Sequence, residues 1–243
     1  MREVKSPKFI LDIKVFSSRN VLSLLSTNYP DIICLTFDIE SVDKIKKACE
    51  KLKELLPHIK KPIMVRGSSD DEIDKKLIPE LIKHLDRPSI IATVNENNYK
   101  EIVPFSSKGG HTISIRTPID INLAKEMNIL TAELGQPLDK ILIDSDIGGL
   151  GYGLDYGYSM IEKIRLEDEK YLNLPIISFV SEESLKTKEA KSNELPLMYG
   201  KQENRAIMFE IASVSSVIAA GADYVVVNFP ETIKILKGVL SNG

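Results

Sequence analysis

Cysteine and histidine are scarce in this chain, and their placement removes whole classes of chemistry. Cys34 lies inside an apolar run and Cys49 on a predicted helix, with no CxxC pair between them. That argues against a zinc site, an iron–sulfur cluster held by this chain alone, or the disulfide framework of a secreted protein. His58, His84 and His111 are far apart and lack HExxH-type spacing, so no metal site is expected. Basic excess is lacking too: 32 Lys and Arg stand against 35 Asp and Glu, a net charge of -3. That balance weighs against nucleic acid as the main partner. No apolar run approaches the roughly 20 residues that span a bilayer. The opening MREVKSPK has no apolar signal core. A soluble, cytoplasmic protein with no membrane partner is expected.

What the chain does have is a recurring apolar, β-branched run. Eight such runs fall at 9–15, 31–37, 62–66, 89–94, 112–116, 141–144, 175–180 and 224–228. Most lack period-two alternation, as expected for parallel strands covered on both faces. Helical stripes fill the segments between them. Val42, Ile45, Cys49, Leu52 and Leu56 recur at three- and four-residue steps before Pro57, with lysines on the other face. Leu123, Met127, Leu130 and Leu134 repeat the pattern before Gly135 and Pro137, a helix stop. Met208, Ile211, Ser215 and Ile218 do so before Gly221.

Eight strands each followed by a helix predict an α/β fold, a closed (βα)8 TIM barrel forming a single domain over residues 1–243. A doubly wound open sheet is the alternative. The fourth unit is the weakest, because YKEIVPFSSKGG offers only a short helix containing Pro104. The seventh connection, 181–204, is long and polar, which suits either a functional loop or disorder.

In this architecture the working face is built by the loops after the strands. Those positions carry Asp38, the 68–71 and 95–98 stretches, Thr117, Asp120, Asn122, Asp144, Ser145, Asp146, Ser178, Ser181 and Asn228. The expected mouth is rich in carboxylates, amides and hydroxyls, with Arg66 and Arg116 its main cations. It suits hydrogen bonding to a polyfunctional ring or to the amide rim of a large cofactor. No nucleophile–base pair can be assembled from it, so no catalytic residue is assigned. Glycines at 148, 149, 151 and 153 lack a lysine partner for a phosphate cradle, but Tyr152, Tyr156 and Tyr158 beside them offer flat faces to a planar partner. Asp120 and Asn122 equally suit a cap for the helix beginning near Leu123, and Asn95 suits loop backbone. Asp144 beside Asp146 points more strongly to function, because paired carboxylates cost stability. The residues expected to contact a cofactor are Asn95, Thr117, Asp120, Asn122, Asp144, Ser145, Asp146, Gly148, Gly149 and Tyr152.

TPIDINLAKEMNILTAELGQP and then IDSDIGGLGYGLDYGYSMIEKIRL, together with LPIISFVSEESLKTKEAK and AGADYVVVNFPETIKILK, resemble one family. It is the small (delta) subunit of the corrinoid iron–sulfur protein, part of the acetyl-CoA decarbonylase/synthase complex. The resemblance is strongest over about 112–185. It implies a (βα)8 barrel that pairs as a heterodimer with a large subunit holding a 4Fe–4S cluster and a corrinoid (cobamide). The corrinoid would lie at the barrel mouth and accept a methyl group from a tetrahydropterin donor, folate or methanopterin type, delivered with a pterin methyltransferase. The chain would then be a component of a methyl-transfer complex rather than a complete enzyme, binding no metal or cluster by itself.

The match departs from the family in places. Where the family reads DPTTxALGYG, this chain has DSDIGGLGYG, so Asp146 and Ile147 replace a hydroxyl pair. An EWGDR-like stretch survives loosely as LMYGKQENRAIMFE. Two other readings therefore stay open: a stand-alone pterin-dependent methyltransferase or pterin binder, with Asp70, Asn95 and Asp144 at strand ends, and a divergent non-catalytic scaffold.

Overall fold

The computed structural model describes residues 6–241 and follows a strand–helix alternation. Its elements run β1 (Lys8–Lys14), α1 (Val21–Leu25), β2 (Ile32–Thr36), α2 (Ile45–Leu55), β3 (Ile63–Arg66), α3 (Asp71–Ile82), β4 (Ile90–Val94) and α4 (Tyr99–Lys108). The second half adds β5 (Thr112–Arg116), α5 (Ile121–Glu133), β6 (Ile141–Asp144), α6 (Leu154–Leu166), β7 (Ile177–Phe179), α7 (Val180–Glu183), α8 (Lys188–Lys191), α9 (Gln202–Ala220), β8 (Tyr224–Val227) and α10 (Pro230–Leu240).

All pairings are parallel, in the order β6-β5-β4-β3-β2-β1-β8-β7. An isolated parallel bridge between Ile143 and Ile176 joins the two ends, and Ile143 N donates to Pro175 O at 2.8 Å. The ring is closed, as the eight apolar runs predict.

Alternation along the strands produces two separate cores. Ile10, Ile32, Cys34, Met64, Ala92, Leu142, Ile177, Phe179 and Val226 fill the barrel interior. Their neighbours, among them Phe9, Leu11, Ile33, Val65, Ile113, Ile143 and Val225, pack outward against the helices. Cys49, Leu52 and Leu56 of the predicted stripe are buried, joined by Ala48 and Leu55, whereas Ile45 is half-buried and Val42 stays exposed in a 3-10 turn before the helix. The fourth unit is stronger than its sequence suggests: α4 has 10 residues and accepts Pro104 on an exposed face.

The seventh connection is ordered, and Arg205 of α9 is the reason. Its guanidinium donates to the backbone carbonyls of Glu189, Ser192 and Gly200. Gln202 Nε2 adds a bond to Ala190 O at 2.6 Å. Among the described residues no helix is long and apolar enough to cross a membrane.

Candidate functional site

Five charged side chains meet where the strands end. Arg66, Arg116 and Asp144 occupy inward positions at the C-terminal ends of β3, β5 and β6, Asp12 an inward position within β1, and Glu182 enters from α7. Arg116 Nε donates to Asp144 Oδ2 at 2.7 Å, while its Nη1 and Nη2 donate to Glu182 Oε2 and Oε1 at 3.0 and 2.8 Å. Arg66 Nη2 meets the same Glu182 Oε1 at 2.5 Å, and its Nη1 lies 3.7 Å from Asp12 Oδ2. Both guanidinium groups stand over the Phe179 ring, at 5.2 and 4.9 Å from its centroid, a favourable placement for desolvated cations. Asp12 also accepts from the hydroxyls of Thr36 and Ser181 at 2.6 and 3.1 Å.

The sequence predicts a mouth rich in carboxylates, amides and hydroxyls with Arg66 and Arg116 as its main cations; at its floor those cations and carboxylates are almost fully cross-paired. Burial pushes the Asp144 carboxyl up to about 6, against the pull of Arg116 and helped by Asp146 and Glu182. Burial also opposes the charge on Glu182, but Arg116 and Arg66 outweigh it and hold that carboxyl below its ordinary value. Glu182 is the anion that the arginines require. Sequence reading missed both Asp12 and Glu182. A signal existed for Asp12: a carboxylate in mid-strand of KFILDIK, on the parity of Ile10, must find a partner inside the ring.

A second polar assembly continues outward from Asp12. Asn228 Nδ2 donates to Ser181 O at 2.7 Å and to Glu210 Oε1 at 3.3 Å. Glu210 also accepts from the backbone N–H groups of Asn228 and Phe229 and from the Thr232 hydroxyl, at 2.6, 3.2 and 2.6 Å. It is fully buried and forms no ion pair among the described residues, and burial pushes its carboxyl up to about 7 despite those donors.

The residues expected to contact a cofactor divide into groups. Asp144 is central, with both oxygens in use: Arg116 takes one and the Asp146 N–H takes the other at 3.0 Å. Ser145 is buried, its hydroxyl near Asp146 O, and Thr117 is buried with an unpartnered hydroxyl. Asp120 caps α5, accepting from the N–H groups of Asn122 and Leu123 at 2.9 and 3.1 Å, and Asn122 lies exposed on the first turn. Asp70 caps α3 in the same manner. Asn95 Nδ2 donates to Asp71 Oδ1 at 2.8 Å, as part of a cluster with Asn97 and Asn98 that fastens the β4–α4 loop. His111 is buried below β5 and accepts from Ser89 N, a structural position.

The glycine-rich loop folds tightly after β6. A Cβ on Gly148 would sit 2.5 Å from Tyr152 O, so the turn that carries Tyr152 excludes a side chain there. Ser69, Ile119 and Asp146, on the loops after β3, β5 and β6, all have positive φ, which is uncommon for residues with a side chain and a genuine outlier for isoleucine. Such conformations cluster at functional sites. The connections that follow β1, β5, β6 and β7 carry exposed apolar and aromatic side chains: Phe16, Ile119, Tyr152, Tyr156 on the first turn of α6, Met198 and Tyr199. Tyr152, Tyr156 and Met198 are 60%, 65% and 87% accessible.

Comparison with known proteins gives a consistent result. The sequence profile of the family described as CO dehydrogenase/acetyl-CoA synthase delta subunit matches residues 24–228. The acetyl-CoA decarbonylase/synthase complex subunit delta of Archaeoglobus fulgidus is 28% identical over 80% of this chain and 45% of its own length. Subunit delta 1 of Methanosarcina thermophila is 28% identical over 80% of this chain and 47% of its own. The chain therefore spans somewhat less than half the length of these relatives. Among solved structures, dihydropteroate synthase from Thermus thermophilus superposes with a TM-score of 0.71 at 12% identity, covering 99% of this chain and 95% of that one. Yersinia pestis dihydropteroate synthase, solved with a pterine-sulfa conjugate, gives 0.67 at 14% identity, over 99% and 96%. These structural likenesses establish the barrel.

Proposed function

The chain belongs to the CO dehydrogenase/acetyl-CoA synthase delta subunit family, and from that premise we propose that its barrel mouth docks on and covers a corrinoid held by a partner subunit during methyl transfer. The partner on this reading is the large subunit that carries the corrinoid and a 4Fe–4S cluster. The observation that carries the reading is the set of exposed apolar and aromatic side chains around a mouth whose own charges are cross-paired. Soluble proteins seldom gather such side chains on one face without a partner to cover them.

The face fits the two groups that the reading invokes unequally. A macrocycle with a flat, amide-fringed edge meets Tyr152, Tyr156 and Met198 as contact surface, and the charged floor stays intact beneath it. A pterin ring set into the mouth finds Asp144 already held by Arg116 and Asn95 by Asp71, and is left with isolated groups such as the unpartnered Thr117 hydroxyl. When bound, a corrinoid supplies the cobalt that carries a methyl group. The residues of this chain would shield that face from water and fix its orientation, and none of them need form a bond. Asn95, Thr117, Asp120 and Asn122 then serve the loops, whereas Tyr152 and the 148–149 turn approach the cofactor.

The test is complex formation with the corrinoid-loaded large subunit, followed by size-exclusion chromatography and titration. A one-to-one complex that Tyr156→Ala and Met198→Ala weaken by about tenfold or more supports the reading. A face whose variants bind as the parent does would remove it.

A further inference from the structure

We propose that the cleft between the glycine-rich loop and the α7–α8 segment binds a phosphate ester carried on a planar ring, of the nucleotide-monophosphate kind. The cleft lies beside the rim and has a volume of about 360 Å³, at the small end of the roughly 300–1,000 Å³ typical of ligand pockets. Lys186, Lys188 and Lys191 line it on one side, and Tyr152 and Gly149 on the other. Only Lys186 is neutralised, by Glu183 at 2.5 Å. Lys188 and Lys191 carry no ion pair among the described residues, and both are exposed.

That arrangement is costly for the protein alone. Lys188 and Lys191 sit three residues apart on α8, a helix of only four residues, where like charges at this spacing repel. They face the same cavity, in a chain whose net charge is -3. A phosphate monoester carries close to two negative charges near neutral pH, which matches the two free ammonium groups. The exposed Tyr152 ring offers a flat wall for the ring portion of the ligand.

The walls are also held in place before any ligand arrives. A Cβ on Gly149 would lie 2.9 Å from Thr187 Cγ2 and 3.2 Å from Glu183 O, so loop and segment touch directly. Behind the lysines, Arg205 and Gln202 fasten the carbonyls of residues 189, 190 and 192. A pocket with fixed walls loses little entropy on binding. The cleft shares Tyr152 and Gly149 with the docking face, but its lysines lie outside the cross-paired mouth, so a test on the chain without its partner can fail while the docking reading stands.

Calorimetric titration of the whole chain with AMP, inorganic phosphate and adenosine tests it. The expected result is saturable AMP binding with a dissociation constant of about 1 mM or below at low salt, weakening steeply as salt rises. Phosphate should bind about tenfold more weakly and adenosine should not saturate. The double variant Lys188→Glu/Lys191→Glu, on exposed positions, should unfold as the parent does and lose at least about tenfold in AMP affinity. Tyr152→Ala should erase the preference for AMP over phosphate. No saturation by AMP at about 10 mM, equal binding of adenosine, or AMP affinity untouched by the double variant overturns the proposal.

Discussion

Arg116 grips Glu182 with two hydrogen bonds, Nη1 to Oε2 at 3.0 Å and Nη2 to Oε1 at 2.8 Å. Paired forks of this kind fix geometry as well as energy. Here the fork ties α7 across the mouth to β5, and Arg66 uses the same carboxylate. Removing Glu182 leaves two buried guanidinium groups over one ring with a single hydrogen-bonded carboxylate partner, Asp144. Glu182→Ala should therefore cost on the order of 3 kcal/mol in urea unfolding. A loss within about 0.5 kcal/mol, typical of an exposed ion pair, would show that the network is ornamental.

Glu210 predicts a pH dependence of the opposite sign from a salt-bridged acid. Its folded value, about 7, lies above the ordinary 4.5, so the folded state binds its proton more tightly than the unfolded chain does. The stability it contributes is full below about 4.5 and is lost as pH rises through about 7. Comparing urea unfolding of the parent and Glu210→Gln at pH 5 and pH 8 isolates this group from other carboxylates. The parent should lose stability relative to the variant by about 2.5 kcal/mol across that interval, and parallel curves would refute the assignment.

Asp120 separates a cap from a binding residue. Asp120→Ala should cost about 1 kcal/mol of stability, the usual worth of an N-cap, and leave complex formation unchanged. A stable variant that fails to form the complex would return Asp120 to the binding surface.

Arg205 should govern local rather than global order. Its three backbone acceptors lie at residues 189, 192 and 200, so Arg205→Ala should expose 186–200 to proteolysis and to fast amide exchange. Protection of β1, β2 and β8 should change little. Uniform loss of protection would mean that Arg205 supports the whole ring.

Much of the ring is legible in the sequence, for a physical reason. A parallel strand covered on both faces must be apolar throughout, and each of the eight runs overlaps a strand, with 112–116 and 141–144 matching to the residue. Periodicity also locates α2, α5 and α9. It fails at α4, where Pro104 disguises a full helix, and at 181–204, where order depends on Arg205 reaching back from another element. The mouth was legible residue by residue but not as pairs. Asp144 and Arg116 stand out at strand ends, whereas Glu182 hides among the acidic residues of SEES until α7 turns it inward. Asp120 and Asp70 show the converse, since the side chain that suits a ligand also suits a helix cap.

The most direct test of the account compares the affinity of this chain for the large partner subunit with and without its corrinoid. If the rim around Tyr156 and Met198 closes over the cofactor, the loaded subunit should bind at least about tenfold more tightly, and the advantage should vanish in Tyr156→Ala/Met198→Ala. Equal affinity for loaded and empty partner, or no complex with either, would contradict the claim that this face covers a corrinoid.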